Sequence, residues 1–393
     1  MNRSVVLLSL CQALLGTGNI LLVAVTGLIG QSLAPSSSMI TLPVAMQFVG
    51  LMLATIPASL IMQKIGRRNG FYLGNSIGIG GAVLASMALM SEQFYLFCVG
   101  TLCLGVGIGF GTLYRFAAVE ACEPAQKNRA ISLVMLGGVL AALIGPALAV
   151  QSRDWVQGYD FVGSFVGLMG LYILALLLLT GVKIPKPAVS VRSQATARPL
   201  IEIVSQPIFV VAVVAGMTSY AVMNLLMTAT PLAMARCGFS FPQTTWVIEW
   251  HVLGMFLPSF FTGRLIQRFG AVNLMQCGGA LLLLCTAINL NGQSEWHFWC
   301  ALVALGVGWN FMFISATSLV TSTYRESERA KTQATNEFLV FGMVTLSAML
   351  TGWLEATVGW QTMNWMMVPI VAWAMLVIAI FSRKMTSRAE CVS

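Results

Sequence analysis

Three asparagines stand where an amide is costly: Asn19, Asn224 and Asn310 each fall near the middle of a long apolar run. Hydrocarbon offers an amide no partner, so such groups turn to the interior of a helix bundle. Gln12 lies seven residues before Asn19 and Tyr220 four before Asn224, spacings that put each pair on one helical face. Trp309 adjoins Asn310. Groups of this kind hold a small molecule by hydrogen bonds and ring contact, or else glue helices together. Glu249 lies about five residues into another apolar run, or roughly 8 Å at 1.5 Å per residue, with His251 two residues on. A carboxylate that alternates between wet and dry surroundings can load and release a proton, which makes Glu249 and His251 candidates for proton coupling.

Other chemistry is poorly supported. No Gly-Lys-Ser/Thr occurs, so ATP is not expected as the fuel. The nine cysteines form no C-x-x-C pair and the chain has only two histidines, so neither a metal site nor a cofactor is expected. No cluster of carboxylate, His or Ser has reaction spacing, and no catalytic residue is assigned. The run Gly105, Gly107, Gly109, Gly111 lies inside an apolar stretch with no strand before it, and with Gly74, Gly78 and Gly81 it reads as close helix packing.

The elements that must position these residues are membrane helices. Hydrophobic residues make up 58% of the chain and charged residues 9%, against roughly 25% charged in a soluble domain. A spanning helix needs about 20 apolar residues. Twelve such runs occur, near 5–29, 39–62, 71–91, 94–119, 131–150, 161–182, 207–233, 244–263, 271–290, 297–321, 335–356 and 362–381. With both termini cytoplasmic, all of the 21 Lys and Arg except Arg115, Arg153 and Arg236 fall on the cytoplasmic side, as the positive-inside rule requires. The net charge of +8 therefore faces anionic lipid, and nucleic acid is not expected as a partner. The apolar stretch after Arg3 is too long for a signal peptide and reads as a retained first helix.

The chain also repeats itself. Leu60-Ile61-Met62-Gln63-Lys64-Ile65-Gly66 returns 204 positions later as Arg264-Leu265-Ile266-Gln267-Arg268-Phe269-Gly270. Asn19-Ile20-Leu21 matches Asn224-Leu225-Leu226, Leu104-Gly105-Val106-Gly107 matches Leu305-Gly306-Val307-Gly308, and Arg129-Ala130 matches Arg329-Ala330. A Pro, Ser and Arg-rich stretch separates the copies. The expected organisation is a six-helix bundle over 1–182, a cytoplasmic linker over 183–206, a second six-helix bundle over 207–382 and a cytoplasmic tail over 383–393.

These residues resemble the major facilitator superfamily over essentially the whole chain. Its loop pattern G-x-x-x-D-(R/K)-x-G-(R/K)-(R/K) is matched from Ser59 to Arg68 at Lys64, Gly66, Arg67 and Arg68, with Gln63 in place of Asp; the second copy again has Gln267 there. In the family that Asp helps latch the outward-facing state. Gly145-Pro146-Ala147-Leu148-Ala149 is similar to a motif of the drug:proton antiporters, while Thr101 stands where such antiporters carry a membrane-embedded Arg.

The resemblance implies an all-α, twelve-helix protein of two pseudo-symmetric halves that rock around a central cavity lined by helices 1, 4, 7 and 10. It thereby implies substrate contact by Gln12, Asn19, Tyr220, Asn224, Trp309 and Asn310. The cytoplasmic gate is expected to involve Gln63, Arg67, Arg68, Arg115, Glu120, Gln267 and Arg268, with Glu120 pairing with Arg67, Arg68 or Arg115. The expected activity is proton-coupled export of a small organic solute from a monomer in the bacterial inner membrane. The alternative is proton-coupled uptake of a nutrient, vitamin or siderophore; a non-transporting sensor is disfavoured because no stretch could fold into a soluble output domain.

Overall fold

The computed structural model describes residues 3–122, 127–184 and 198–390. Every regular element is helical: α1 (Arg3–Leu33), α2 (Leu42–Ile65), α3 (Arg67–Met90), α4 (Phe94–Gly111), α5 (Tyr114–Glu120), α6 (Lys127–Ser152), α7 (Val162–Thr180), α8 (Leu200–Val204), α9 (Pro207–Arg236), α10 (Phe241–Phe256), α11 (Ser259–Phe269), α12 (Ala271–Asn291), α13 (Glu295–Thr321), α14 (Arg329–Thr357) and α15 (Gly359–Glu390). Among the described residues, ten helical stretches are long and apolar enough to cross a bilayer. The remaining two expected spans also have helical counterparts. One is α6, in which the described apolar stretch is Leu136–Ser152, and the other is divided into α10 and α11. That division falls at Pro258, which has no N–H to continue the ladder.

Two compact units make up the chain: Met1–Ala188 with Thr228–Glu249 and Ala348–Ala356, and Val189–Met227 with Trp250–Ser347 and Thr357–Ser393. In the first, α3 packs on α4 and α7, α2 packs on α4, and α1 packs on α6. In the second, α12 packs on α13 and α15. The pairing of the third helix with the fourth and sixth thus recurs as the ninth with the tenth and twelfth.

Glycine makes these pairings possible. A Cβ at Gly107 would lie 2.9 Å from the Gly74 carbonyl oxygen, and one at Gly308 would lie 2.9 Å from that of Gly278. Likewise a Cβ at Gly105 would overlap the backbone of Gln47, and one at Gly306 the backbone of His251. Without a strong hydrophobic drive between helices in lipid, such close approach supplies van der Waals contact instead. The polar interior is bonded within each unit: Asn75 donates to the Tyr114 hydroxyl at 2.7 Å, and Asn289 donates to Asn364 Oδ1 at 2.9 Å.

The repeated loops share one backbone shape. Gly66 (φ 88°, ψ 154°) joins α2 to α3, and Gly270 (φ 83°, ψ 150°) joins α11 to α12. That region is open essentially to glycine alone.

Candidate functional site

In the second unit the seventh span, α9, brings Tyr220 against three rings. Its ring centroid lies 5.4 Å from Trp309 and 5.3 Å from Phe313, both on α13, and 5.7 Å from Phe341 on α14, each in an edge contact. Trp309 and Phe313, one helical turn apart, stack at 4.9 Å with planes 13° apart. Trp309 is 7% exposed and its Nε1 is buried with no hydrogen-bond partner among the described residues. One turn along α9 from Tyr220, Asn224 donates to the Ser347 hydroxyl at 3.0 Å and to the Val344 carbonyl at 3.4 Å.

Asn310 has a different environment although it follows Trp309 directly. A step of about 100° per residue turns it to another face. It is fully buried, donating to the Met255 carbonyl at 2.6 Å and to the Ser259 hydroxyl at 2.7 Å, and accepting from Thr262 at 2.6 Å. Both amide hydrogens are used to close the break around Pro258. This is the geometry of an interhelical bond.

In the first unit Asn19 Oδ1 accepts from Gln47 Nε2 at 2.9 Å, and Gln12 is half-buried on the same helix. Gln47 is 1% exposed and its Oε1 is buried without a partner among the described residues. Thr101 is fully buried, its hydroxyl donating to the Cys98 carbonyl at 2.9 Å. Gly145 of the antiporter-like motif approaches α1, where a Cβ would lie 2.9 Å from Ile20 and 3.1 Å from the Thr17 carbonyl. Helix packing accounts for that glycine.

Of the proton-coupling candidates, Glu249 is half-buried on α10. His251 is wholly buried, with Nδ1 2.8 Å from the Leu302 carbonyl. A carbonyl only accepts, so Nδ1 carries a proton, while Nε2 has no partner among the described residues. A buried acid that the sequence set omits is Glu355, with 1% of its side chain exposed, 2.7 Å from Arg236 Nη2. Its only sequence signal was an acid near the end of an apolar run.

At the basic corner Arg67 meets Glu120 in a two-pronged ion pair, at 2.7 and 3.1 Å. Arg68 turns away, to the Tyr72 hydroxyl at 3.0 Å and the Thr180 carbonyl at 3.0 Å. Gln63 and Gln267 are exposed, with no hydrogen-bond partner among the described residues. Arg268 is exposed and lies over the Phe269 ring at 5.2 Å. Arg115 lies in α5, but its side chain falls outside the described residues.

The second unit has its own ionic corner, which the sequence set did not include. Arg198, where the linker re-enters the described structure, reaches Glu328 from Nη2 at 2.7 Å, from Nε at 2.9 Å and from its backbone N–H at 2.9 Å. Arg325 N–H adds a fourth bond at 2.9 Å. Lys331 Nζ donates to the Arg198 carbonyl, while Arg198 and Gln206 both donate to the Thr323 carbonyl, at 3.0 and 3.1 Å. The Glu328 side chain has no exposed surface. The Arg198 guanidinium, helped by these amides, holds its carboxyl well below the usual carboxylate range.

Comparison with known proteins agrees with this architecture. The sequence profile of the Major Facilitator Superfamily matches residues 7–232 and 212–390. The chain belongs to that superfamily, a family of secondary transporters rather than enzymes. It is 42% identical over 371 residues, 94% of this chain and 93% of the other, to the riboflavin transporter RfnT of Brucella anthropi. It is 27% identical, over 95% of this chain and 92% of the other, to the uncharacterized MFS-type transporter YdeG of Bacillus subtilis. Its fold matches a bacterial homologue of the human lysosomal transporter Spinster, solved inward-facing and occupied, with TM-score 0.73, 17% identity and 96% of each chain covered. None of these three is named a drug:proton antiporter, so the narrower resemblance drawn from Gly145-Pro146 does not extend beyond the superfamily.

Proposed function

We propose that this transporter takes up riboflavin, or a flavin with the same ring system, across the bacterial cytoplasmic membrane by alternating access. The carrying observation is the 42% identity over 94% of the chain to a riboflavin transporter. Vitamin uptake therefore replaces export as the main reading, because export rested on a motif whose glycine serves helix packing. The ring cluster around Tyr220 suits a planar aromatic solute, and three of its four rings, Tyr220, Trp309 and Phe313, stand on the seventh and tenth spans, which family resemblance assigns to the cavity. Protons are the proposed coupling ion, with Glu249 as the carrier.

The test is growth and uptake in a riboflavin-auxotrophic bacterium lacking its own riboflavin transporter. Expression should restore growth on low external riboflavin and accumulate labelled riboflavin. Loss of riboflavin from preloaded cells without accumulation would reverse the direction, and no flux either way would overturn the substrate. In proteoliposomes holding a pH dye, riboflavin entry should carry protons inward. Glu249→Gln should abolish uphill accumulation and leave downhill flux, and unchanged accumulation would remove Glu249 from the coupling.

A further inference from the structure

We infer that Tyr220, Trp309, Phe313 and Phe341 form the surface that recognises the planar ring of the solute, with the Trp309 indole N–H donating to an acceptor on that ring. The inference rests on the reading of the solute as a flavin and assigns which part of the molecule these residues read.

Two independent observations carry it. The first is the convergence of four rings from α9, α13 and α14, with Tyr220 touching the other three edge-on and Trp309 stacked on Phe313. Aromatic side chains present flat apolar faces and positive edges, which suit a large fused heterocycle better than a flexible polyol. The second is the unpaired donor. Trp309 is 93% buried by the measure of its 7% exposure, yet its Nε1–H, like that of the buried Trp360 outside the cluster, has no partner among the described residues.

A buried tryptophan usually bonds its indole N–H, because leaving a buried donor unmade forfeits its hydration with nothing in return. By contrast, the amide N–H groups of the nearby Asn224 and Asn310 are engaged. An N–H held unpaired inside an aromatic cluster is relieved by a guest with ring acceptors. The isoalloxazine ring offers two carbonyl oxygens and two unprotonated ring nitrogens, while a hydrocarbon of the same shape offers none. The ribityl chain is then left to groups outside this cluster.

The ligand-side test uses the unaltered, detergent-purified protein. Riboflavin should bind with quenching of flavin fluorescence on ring stacking. Lumiflavin, which has the ring without the ribityl chain, should retain binding within about 10-fold, while ribitol should not compete. On the protein side, Trp309→Phe keeps an aromatic face and removes the donor, and it should weaken riboflavin about 10-fold, the scale of one lost hydrogen bond. Tyr220→Leu should weaken binding at least as much and reduce the quenching. Size-exclusion profiles matching wild type guard against misfolding, and the ligand series holds whether or not a variant folds.

Riboflavin binding that is lost with lumiflavin, or unchanged in Trp309→Phe and Tyr220→Leu, overturns the inference and leaves the transport reading standing. If riboflavin itself does not bind, the flavin reading fails. The ring inference is then decided by whether planar heteroaromatic carbonyl compounds such as pterins and purines bind in a Trp309-dependent way; binding that ignores Trp309, or none at all, overturns it.

Discussion

The corner between the second and third spans and its counterpart between the eighth and ninth share backbone geometry but differ in charge. Gly66 and Gly270 adopt the same positive-φ shape, and Asn69 and Asn273 each donate to the carbonyl four residues back, at 3.0 and 2.9 Å. Behind each corner, glycines at matching positions meet: Gly74 with Gly107, and Gly278 with Gly308. The ion pairs do not repeat. Arg67 binds Glu120 in the first copy, where the second has Ala271 and Thr321. In turn the second copy places Glu328 under Arg198, where the first has Asn128. Duplication therefore kept what the backbone path and close helix approach demand. Charge, which interacts over a range of distances and geometries, was free to be placed differently in each half.

The comparison breaks most severely at the glycines. Gly105→Leu and Gly306→Leu both drive a side chain into facing backbone, with an expected loss of about 3 kcal/mol or more and of monodisperse protein in fluorescence-detected size exclusion. Gly80→Leu, with nothing within 4 Å of the new Cβ, should be tolerated. If Gly306→Leu behaved like Gly80→Leu, the two glycine contacts would not be equivalent.

Next in size is the pair of ionic corners. Glu328→Gln should lower the melting temperature more than Glu120→Gln and speed proteolysis near the linker, since Glu328 is enclosed and bonded four times. The Arg67–Glu120 pair, with 18% and 38% of its side chains exposed, should contribute about 0.2–1 kcal/mol. Equal melting shifts would mean that enclosure adds nothing.

The same contrast predicts a pH dependence. Because folding depresses the Glu328 carboxyl, its stabilisation is present above the unfolded value and is lost as pH falls towards the folded one. The wild-type melting temperature should therefore drop on acidification below about pH 5, and Glu328→Gln should flatten part of that slope. An unchanged slope in the variant would assign the acid sensitivity elsewhere.

The smallest effect is expected at Gln63→Asp. An exposed position without a partner among the described residues should change stability by under about 0.5 kcal/mol. Restoring the family's acid should nevertheless shift accessibility labelling towards the outward-facing state, and unchanged labelling would show that the latch needs more than this residue.

Much of the fold was legible in the sequence because membrane insertion writes a coarse code. Long apolar runs, the Lys and Arg bias and a half-length repeat led to twelve helical spans, and each has its counterpart here. The exceptions are of form: the fourth run is divided between Gly111 and Tyr114 into α4 and α5, and Pro258 divides the eighth into α10 and α11. The candidate site was legible only in part. Tyr220, Asn224 and Trp309 stood out by residue type and spacing, and Phe313 could have been added as the residue one turn after Trp309. Phe341 could not, because nothing along the chain ties α14 to α9. Asn310 shows the reverse: its position in the run was read correctly, yet which face it turns to depended on a break in another helix.

What the sequence by itself determined was the set of membrane-crossing segments, their orientation expectation and the doubled plan, since hydropathy, charge bias and repetition are properties of local segments. Only the tertiary structure decided which buried polar groups are spent on helix packing, that the Trp309 indole N–H finds no partner among the described residues, and which acid the linker arginine encloses. Those depend on atoms brought within a few ångströms from residues far apart in the chain, 55 positions for Asn310 and Met255 and 130 for Arg198 and Glu328.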